Sequence, residues 1–351
     1  MSKYLTKLVV AGVAGGLVVA TLGAGVAVAG GSVARRTGAH TGPSTLPQSQ
    51  AARLAATWLA SQLNAMGYET TSGSPDLSDT ALTVLALAAA GNEHSVALRA
   101  LRYLEHHANA YVKVDRKDGP GQIATLILGA GALGVNPKRF DGTNLVTRLL
   151  KTMRTTGPDA GLFGAQSPTY DGAYRQGLAL AALGSVAVTQ SSKVGLAVSW
   201  LRRQQCADGG WESYRSTSAA CPATDPATYT GPDTNSTALA IEGLEAQHAH
   251  LEHSPLAFYT SLQSPDGGWG YYGGTSDPDS TSLVVQALLA MHQSVSAAKF
   301  QKGANDPVTA LLSFQLSDGA FFYPSPPSPN TPSKLGTEQA IPALAKKALP
   351  F

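Results

Sequence analysis

The feature that most constrains this chain is that it repeats itself. One unit is clearest over residues 198–245: Trp200-Leu201-Arg202-Arg203-Gln204-Gln205, then Asp208-Gly209-Gly210-Trp211, a long loop, and Asp233-Thr234-Asn235-Ser236-Thr237-Ala238-Leu239. The next copy runs Phe258-Tyr259, Gln263, Asp266-Gly267-Gly268-Trp269, then Asp279-Ser280-Thr281 and Leu283 to Leu289. A third keeps Phe314-Gln315 and Asp318-Gly319-Ala320-Phe321 ahead of Gly336-Thr337-Glu338-Gln339-Ala340. Fainter copies lie upstream, around Trp58-Leu59 with Ser78-Asp79-Thr80, Tyr103-Leu104 with Gly121-Gln122, and Asp159, Gly161 with Asp171-Gly172-Ala173. Their aromatic landmarks are Tyr68, Tyr111, Phe163, Trp211, Trp269 and Phe321, 43 to 58 residues apart, so that six copies fill residues 51–350. A unit of this length cannot bury its apolar face alone and must stack on copies of itself.

Each copy holds two helical patterns. The earlier one is amphipathic, as in Ala55, Trp58, Leu59, Gln62 and Leu63, so one face is wet. The later one, as in Ala81 to Ala90, is apolar on nearly every side and must be buried all round. A ring of half-wet helices enclosing a ring of dry ones satisfies both patterns. The Asp-Gly-Gly-Trp turn reverses the chain between them, because Gly accepts positive φ without a Cβ penalty. The expected fold is therefore all-α, an α6/α6 toroid or α/α barrel of six helix pairs. A charged fraction of only 14% fits helices packed closely through small residues.

The segment Trp200-Leu201-x-x-x-Gln205 followed by Gly209-x-Trp211 resembles the repeat of squalene cyclases and of protein prenyltransferase β subunits, over about 300 residues. The resemblance implies the α6/α6 toroid, shared with cobalamin carriers and complement thioester domains. For activity it points to a terpene cyclase or prenyltransferase acting on an isoprenoid. Fold alone does not select among these.

The remaining segments set the compartment. Lys3 and Lys7 precede an uncharged stretch, Leu8 to Ala29, that closes on Ala27-Val28-Ala29, the pattern of a cleaved export signal over residues 1–29. An uncleaved anchor is the alternative, since 22 uncharged residues can span a bilayer. The many glycines in that stretch weigh against it. Residues 30–50 read as a flexible tether and 51–351 as the toroid. Such a chain meets a membrane only through its N-terminal segment, and then only if that is not removed. Cys206 and Cys221, in one loop-like stretch of an exported protein, invite a disulfide. No His lies between or beside them to complete a zinc site. A net charge of +2 without a long basic run leaves no footprint for nucleic acid.

Alternation of the helices gathers the long connections, 212–232, 270–278 and 322–336, at one mouth of the ring, and insertions on one face mark the binding face. A Pro-rich run, Pro324, Pro326, Pro327, Pro329 and Pro332, stiffens its rim. The mouth residues expected to meet a ligand are Asp79, Asp171, Tyr174, Asp233, Asn235, Tyr271, Tyr272 and Glu338. Asp79, Asp171, Asp233, Asp279 and Glu338 sit where inner helices begin, and a carboxylate there is first of all a cap. Asp277-Pro278-Asp279-Ser280 is similar to the Asp-x-Asp-Asp motif of class II terpene cyclases, with Ser280 in place of its last Asp. That likeness implies Asp277 and Asp279 as catalytic residues, Asp279 being the acid. Against it, an Asp at a helix N-terminus is normally held ionised. The cluster His248-x-His250-x-x-His253 reads as a solvated turn rather than a metal site, because its spacings do not stack on one helical face. No cofactor and no metal is implied. The leading expectation is a secreted, non-catalytic toroid holding a small or extended ligand, cobalamin-like or isoprenoid, at its long-loop mouth.

Overall fold

The computed structural model describes residues 46–114, 116–164, 171–189, 191–214, 220–324 and 330–351. The proposed export segment and Pro326, Pro327 and Pro329 lie outside these residues. Six helices form the inner ring: α2 (Leu77–Ala90), α5 (Pro120–Ala132), α7 (Ala173–Ser185), α9 (Thr234–Ala246), α11 (Pro278–Ala290) and α13 (Lys334–Leu344). Six alternate with them outside: α1 (Gln48–Ala60), α3 (His94–His106), α6 (Leu145–Lys151), α8 (Ser192–Arg203), α10 (Leu256–Leu262) and α12 (Pro307–Leu312). The short α4 (Ala108–Val112) extends the second outer helix, and α1 takes in residues 48–50, assigned above to the tether. Each inner helix packs on the next, and α13 packs on α2, so the ring closes.

Burial follows the two sequence patterns. In α5, α9 and α11 ten residues each are buried, whereas α1, α3 and α8 bury four or five along one stripe. The tightest crossing is that of α7 on α9. A Cβ at Gly177 would lie 2.0 Å from Leu239 O, and one at Gly243 2.4 Å from Gly177 O, so only glycine allows these backbones to meet.

The repeat motif is a clamp. Gln205 Nε2 donates to Gly209 O (2.9 Å) within its own turn and to His253 O (2.7 Å) ahead of the next outer helix. Gln263 does the same with Gly267 O (2.8 Å) and Phe300 O (2.7 Å). Gln315 completes the circle by donating to Ala51 O in α1 (2.9 Å). The aromatic landmark is fixed at both ends. Trp211 N donates to Thr237 Oγ1 of its inner helix (2.9 Å) and its indole N–H to Leu201 O (2.9 Å). Trp269 repeats both bonds with Thr281 and Tyr259, at 3.0 and 2.7 Å. The first Gly of the turn has φ of +93° at Gly209 and +91° at Gly267, with the next repeat's backbone under 3 Å from any added Cβ.

Three two-stranded hairpins stand where outer helices give way to inner ones: β1–β2 (Glu69–Thr71, Ser74–Asp76), β3–β4 (Lys113–Val114, Lys117–Asp118) and β5–β6 (Phe321–Phe322, Pro332–Ser333). They lie with the long loops at one mouth. Cys206 and Cys221 form a disulfide with a Cα–Cα distance of 5.8 Å, tying the largest of those loops to the end of α8. No helix among the described residues is long and apolar enough to cross a membrane.

Candidate functional site

At the mouth of repeats four to six, carboxylates and tyrosines from separate loops converge. Asp233 caps α9, accepting from Ser236 N (2.7 Å), and also accepts from Ser213 Oγ (2.7 Å). Ser213 is within hydrogen-bond distance of the Tyr271 hydroxyl (2.9 Å). Thr234 N donates to Tyr271 O (2.9 Å), which locks the loop of the fifth repeat onto the helix of the fourth. Tyr272 stacks edge-on against Tyr271 and Tyr229, with ring centroids 4.6 and 5.7 Å away. Tyr214 and Tyr229 leave 43% and 44% of their surface in solvent. Burial pushes Asp233 up to about 6, against the bonds from Ser236 and Ser213.

One helix further round, Asp277 caps α11 through Ser280 N (2.8 Å) and accepts from Ser280 Oγ (2.9 Å) and the Tyr323 hydroxyl. Pro278 at the first helical position holds the preceding residue extended, which makes Asp277 the cap. Asp279 is thereby released from capping. Its Oδ1 is buried without a hydrogen-bond partner, and burial followed by the charge of Asp277 raises its pKa well above the carboxylate range. Against the expectation that a helix N-terminus keeps Asp279 ionised, burial and then the neighbouring Asp277 favour its neutral form. Asp79 is likewise not a cap, since Asp76 bonds Ser78 N and Asp79 N. Gly172 stands at the start of α7, and Asp171 pairs with Arg175 (3.1 Å) instead. Ser333 caps α13 through Gly336 N, four helical residues before Glu338. Of the five carboxylates read as caps, only Asp233 serves as one. Asn235 accepts from Thr234 Oγ1 (3.0 Å) and is half-buried.

A second cluster joins the first and last repeats. Lys334 reaches Glu69 at 2.5 Å and Asp79 at 3.4 Å, and Thr83 Oγ1 donates to Glu69 and stands 3.0 Å from Glu338 Oε1. Burial, then Glu69 and Asp79, raise Glu338 well above its usual range. Burial lowers the Lys334 ammonium, but its bond to Glu69 and the charges of Glu69 and Asp79 outweigh that and hold it up.

Below the mouth the barrel is nearly full. The central cavity has a volume of about 50 Å³, walled by Leu82, Leu85, Tyr174, Leu178, Leu239, Leu283, Gln286 and Glu338. Leu349 and Phe351, from the segment that follows α13, also line it. Leu349 N donates to Glu242 Oε2 (2.6 Å), while Glu242 Oε1 finds no partner among the described residues. Burial drives Glu242 up to about 8, so it is largely neutral at pH 7.

Sequence reasoning put all its mouth residues around one opening. In the fold Asp233, Tyr271 and Tyr272 meet on the shelf, with Asp277 and Asp279 one helix further round. Asp79 meets Lys334 and Glu338 meets Thr83 elsewhere, Asp171 pairs with Arg175, and Tyr174 lines the barrel cavity. Sequence reasoning missed Glu69, Lys334, Tyr323 and Glu242. The last had a signal, being a Glu inside the apolar stretch Ala238 to Leu244 of α9. Lys334 and Glu69 are 265 positions apart and had none. In the histidine cluster Glu252 pairs with Arg202 (2.6 Å), and the His253 backbone is held by Gln205.

No family model matches the chain, and no curated protein matches it. Solved structures do. A type II terpene cyclase from Scytonema is 15% identical, with a TM-score of 0.57, over 85% of this chain and 98% of the cyclase. A variant of it holding the substrate geranylgeranyl dihydroxybenzoate matches at 0.57 with 15% identity over 85% and 97%. An inactive α-1,6-mannanase from Salegentibacter with α-1,6-mannotriose matches at 0.56, with 11% identity over 85% and 98%. This chain has the α/α toroid fold of the terpenoid cyclases, a fold that also serves a glycosidase.

Proposed function

We propose that this protein is an exported binding toroid whose ligand docks on the tyrosine and carboxylate shelf at the mouth of repeats four to six. One observation carries the reading: the shelf is open, with Tyr214 and Tyr229 in solvent, while the barrel beneath it is closed. A cavity of roughly 150 Å³ is what benzene occupies. The central space here, about 50 Å³, holds a water or two and no isoprenoid chain. Tyrosine faces and buried, hydrogen-bonded carboxylates suit a ligand with both apolar and polar faces. The export segment read in residues 1–29, and the disulfide, support a role outside the cytoplasm.

The test is native mass spectrometry of the purified protein offered cobalamin, isoprenoid alcohols and oligosaccharides, repeated with Tyr272→Ala. A retained mass whose affinity falls at least tenfold in the variant, with melting temperature kept, supports the shelf. Retention unaffected by the variant places the ligand elsewhere and sinks the reading.

A second reading rests on Asp279. A neutral, buried carboxylic acid next to an ionisable partner is what protonation of an isoprenoid requires. It further requires residues 345–351 to withdraw. Product formed from a geranylgeranyl substrate, and lost in Asp279→Asn with the fold intact, would put this reading first.

A further inference from the structure

A further concavity belongs to neither the barrel nor the shelf. It is a groove of about 820 Å³ that runs from the β3–β4 hairpin, on the mouth side of the second repeat, along the end of α4 and the outer helix α6. Five cations line it, Lys113, Arg116, Lys117, Arg148 and Lys151, against one carboxylate, Asp118. That carboxylate is already committed: Arg148 holds it with two bonds, 2.6 Å from Nε and 2.7 Å from the terminal nitrogen, while donating 2.8 Å to Asn109. The bond to Arg148 comes first in keeping Asp118 below the usual carboxylate range.

The floor is therefore fixed, and the surplus charge stands on the walls. Lys113, Arg116, Lys117 and Lys151 are exposed, and no ion pair holds any of them among the described residues. Lining charges sum to +5 − 1 = +4, twice the +2 of the entire chain. Asp115 lies in the same hairpin sequence but outside the described residues, and counting it still leaves +3. Four such cations around one concavity repel one another, and Asp118 is the one carboxylate among its described lining residues. A concave wall of one sign focuses its field on a ligand of the other sign.

We propose that this groove binds a linear polyanion bearing repeated phosphate or sulfate groups, at a site separate from the tyrosine and carboxylate shelf of repeats four to six. Several charges spread along a groove favour a chain over a single anion. Lysines, as point charges on flexible stems, tolerate either oxyanion.

The experiment is fluorescence anisotropy of the full chain with labelled polyphosphate, dextran sulfate and neutral dextran in 50 to 200 mM salt. The variant is Lys113→Gln/Lys117→Gln/Lys151→Gln. A control triple, Lys193→Gln/Lys299→Gln/Lys347→Gln, removes the same charge from other exposed lysines. Binding to one or both charged polymers is expected, with log K falling by roughly 3 per decade of salt for four contacts. The groove variant should lose at least tenfold in affinity and about 2 in that slope, and the control less than twofold. Preference between the polymers tells phosphate from sulfate. Equal loss in both variants, equal binding of neutral dextran, or no binding to either polyanion at 50 mM salt would overturn the proposal. So would binding confined to phosphatidylglycerol vesicles.

Discussion

Repeats four to six and repeats one to three build the same ring from unequal material. In the later half, Gln205, Gln263 and Gln315 each bind their own turn and the next repeat, and a large aromatic fills the space beneath. In the first repeat Gln62 turns back to Trp58 O (3.2 Å), and the N–H that meets the inner-helix threonine is that of Glu69 (3.0 Å). Tyr68, the sequence landmark, is displaced by one residue and stacks half-exposed on Tyr103. A buried carboxylate has taken the aromatic position and drawn Lys334 of the sixth repeat to it. Where the clamp is strict, the loops are free to carry tyrosines and carboxylates to the mouth. Where it is degenerate, charge holds the ring together and gathers on its wall.

The contrast is broken most directly by removing the landmarks. Trp269 is fully buried and gives its indole N–H to Tyr259 O. Trp269→Ala should cost about 3–5 kcal/mol, as expected for emptying a core aromatic site. Tyr68→Ala should cost about 1 kcal/mol by the same denaturation measurement. Equal losses would mean that the early repeats use the same clamp after all.

The next largest effect belongs to the charge that replaces the clamp. Lys334→Met leaves the fully buried Glu69 without its cation, with only Thr83 still bonding it, at a cost of about 3 kcal/mol at pH 7. Urea midpoints should show most of the deficit recovered in Glu69→Gln/Lys334→Met, which removes the stranded carboxylate along with its cation. A double variant as unstable as Lys334→Met alone would assign Lys334 a packing role only.

A milder and pH-dependent effect is expected at Glu242. Its pKa is raised from 4.5 to about 8 by burial, so the folded state binds the extra proton between those values. The stability this gives is complete below about pH 4.5 and is lost as pH rises through about 8. Glu242→Gln keeps an acceptor for Leu349 N and cannot ionise. Its melting temperature should match the parent at pH 5 and exceed it at pH 9. Parallel curves would show that the buried carboxyl does not titrate in this range.

The ring itself was legible because burial on all sides or on one side leaves a period in the sequence, and the paired Gln and aromatic leave another. Register in the first repeat was not, since a Glu can fill an aromatic's place only with a lysine from the far end of the chain. At the mouth, the carboxylates were legible as helix starts, but the choice of cap was read wrongly. Asp277-Pro278 carried the needed signal, because a proline at the first helical position makes its predecessor the cap. The loop tyrosines, Tyr323 above all, obey no period, and only the folded loops bring them to Asp233 and Asp277.

The smallest effect separates these two neighbouring acids. Asp277 caps α11 with three hydrogen bonds, so Asp277→Ala should cost about 1 kcal/mol or slightly more, and Asp277→Asn less. Asp279 makes no cap, and burial and then Asp277 favour its neutral form. Asparagine is neutral and nearly the same shape, so Asp279→Asn should change stability by under about 0.5 kcal/mol, the range of substitutions that disturb no special feature. Its effect should instead appear on Asp277, whose carboxyl, pushed up to about 6 by burial, loses a neighbour that can share its proton. Following that carboxyl by infrared difference spectroscopy across pH 4 to 8 would therefore register a shifted, single titration in the variant. A midpoint and shape identical to the parent would mean that the two acids do not share a proton, and the second reading of the site would lose its physical basis.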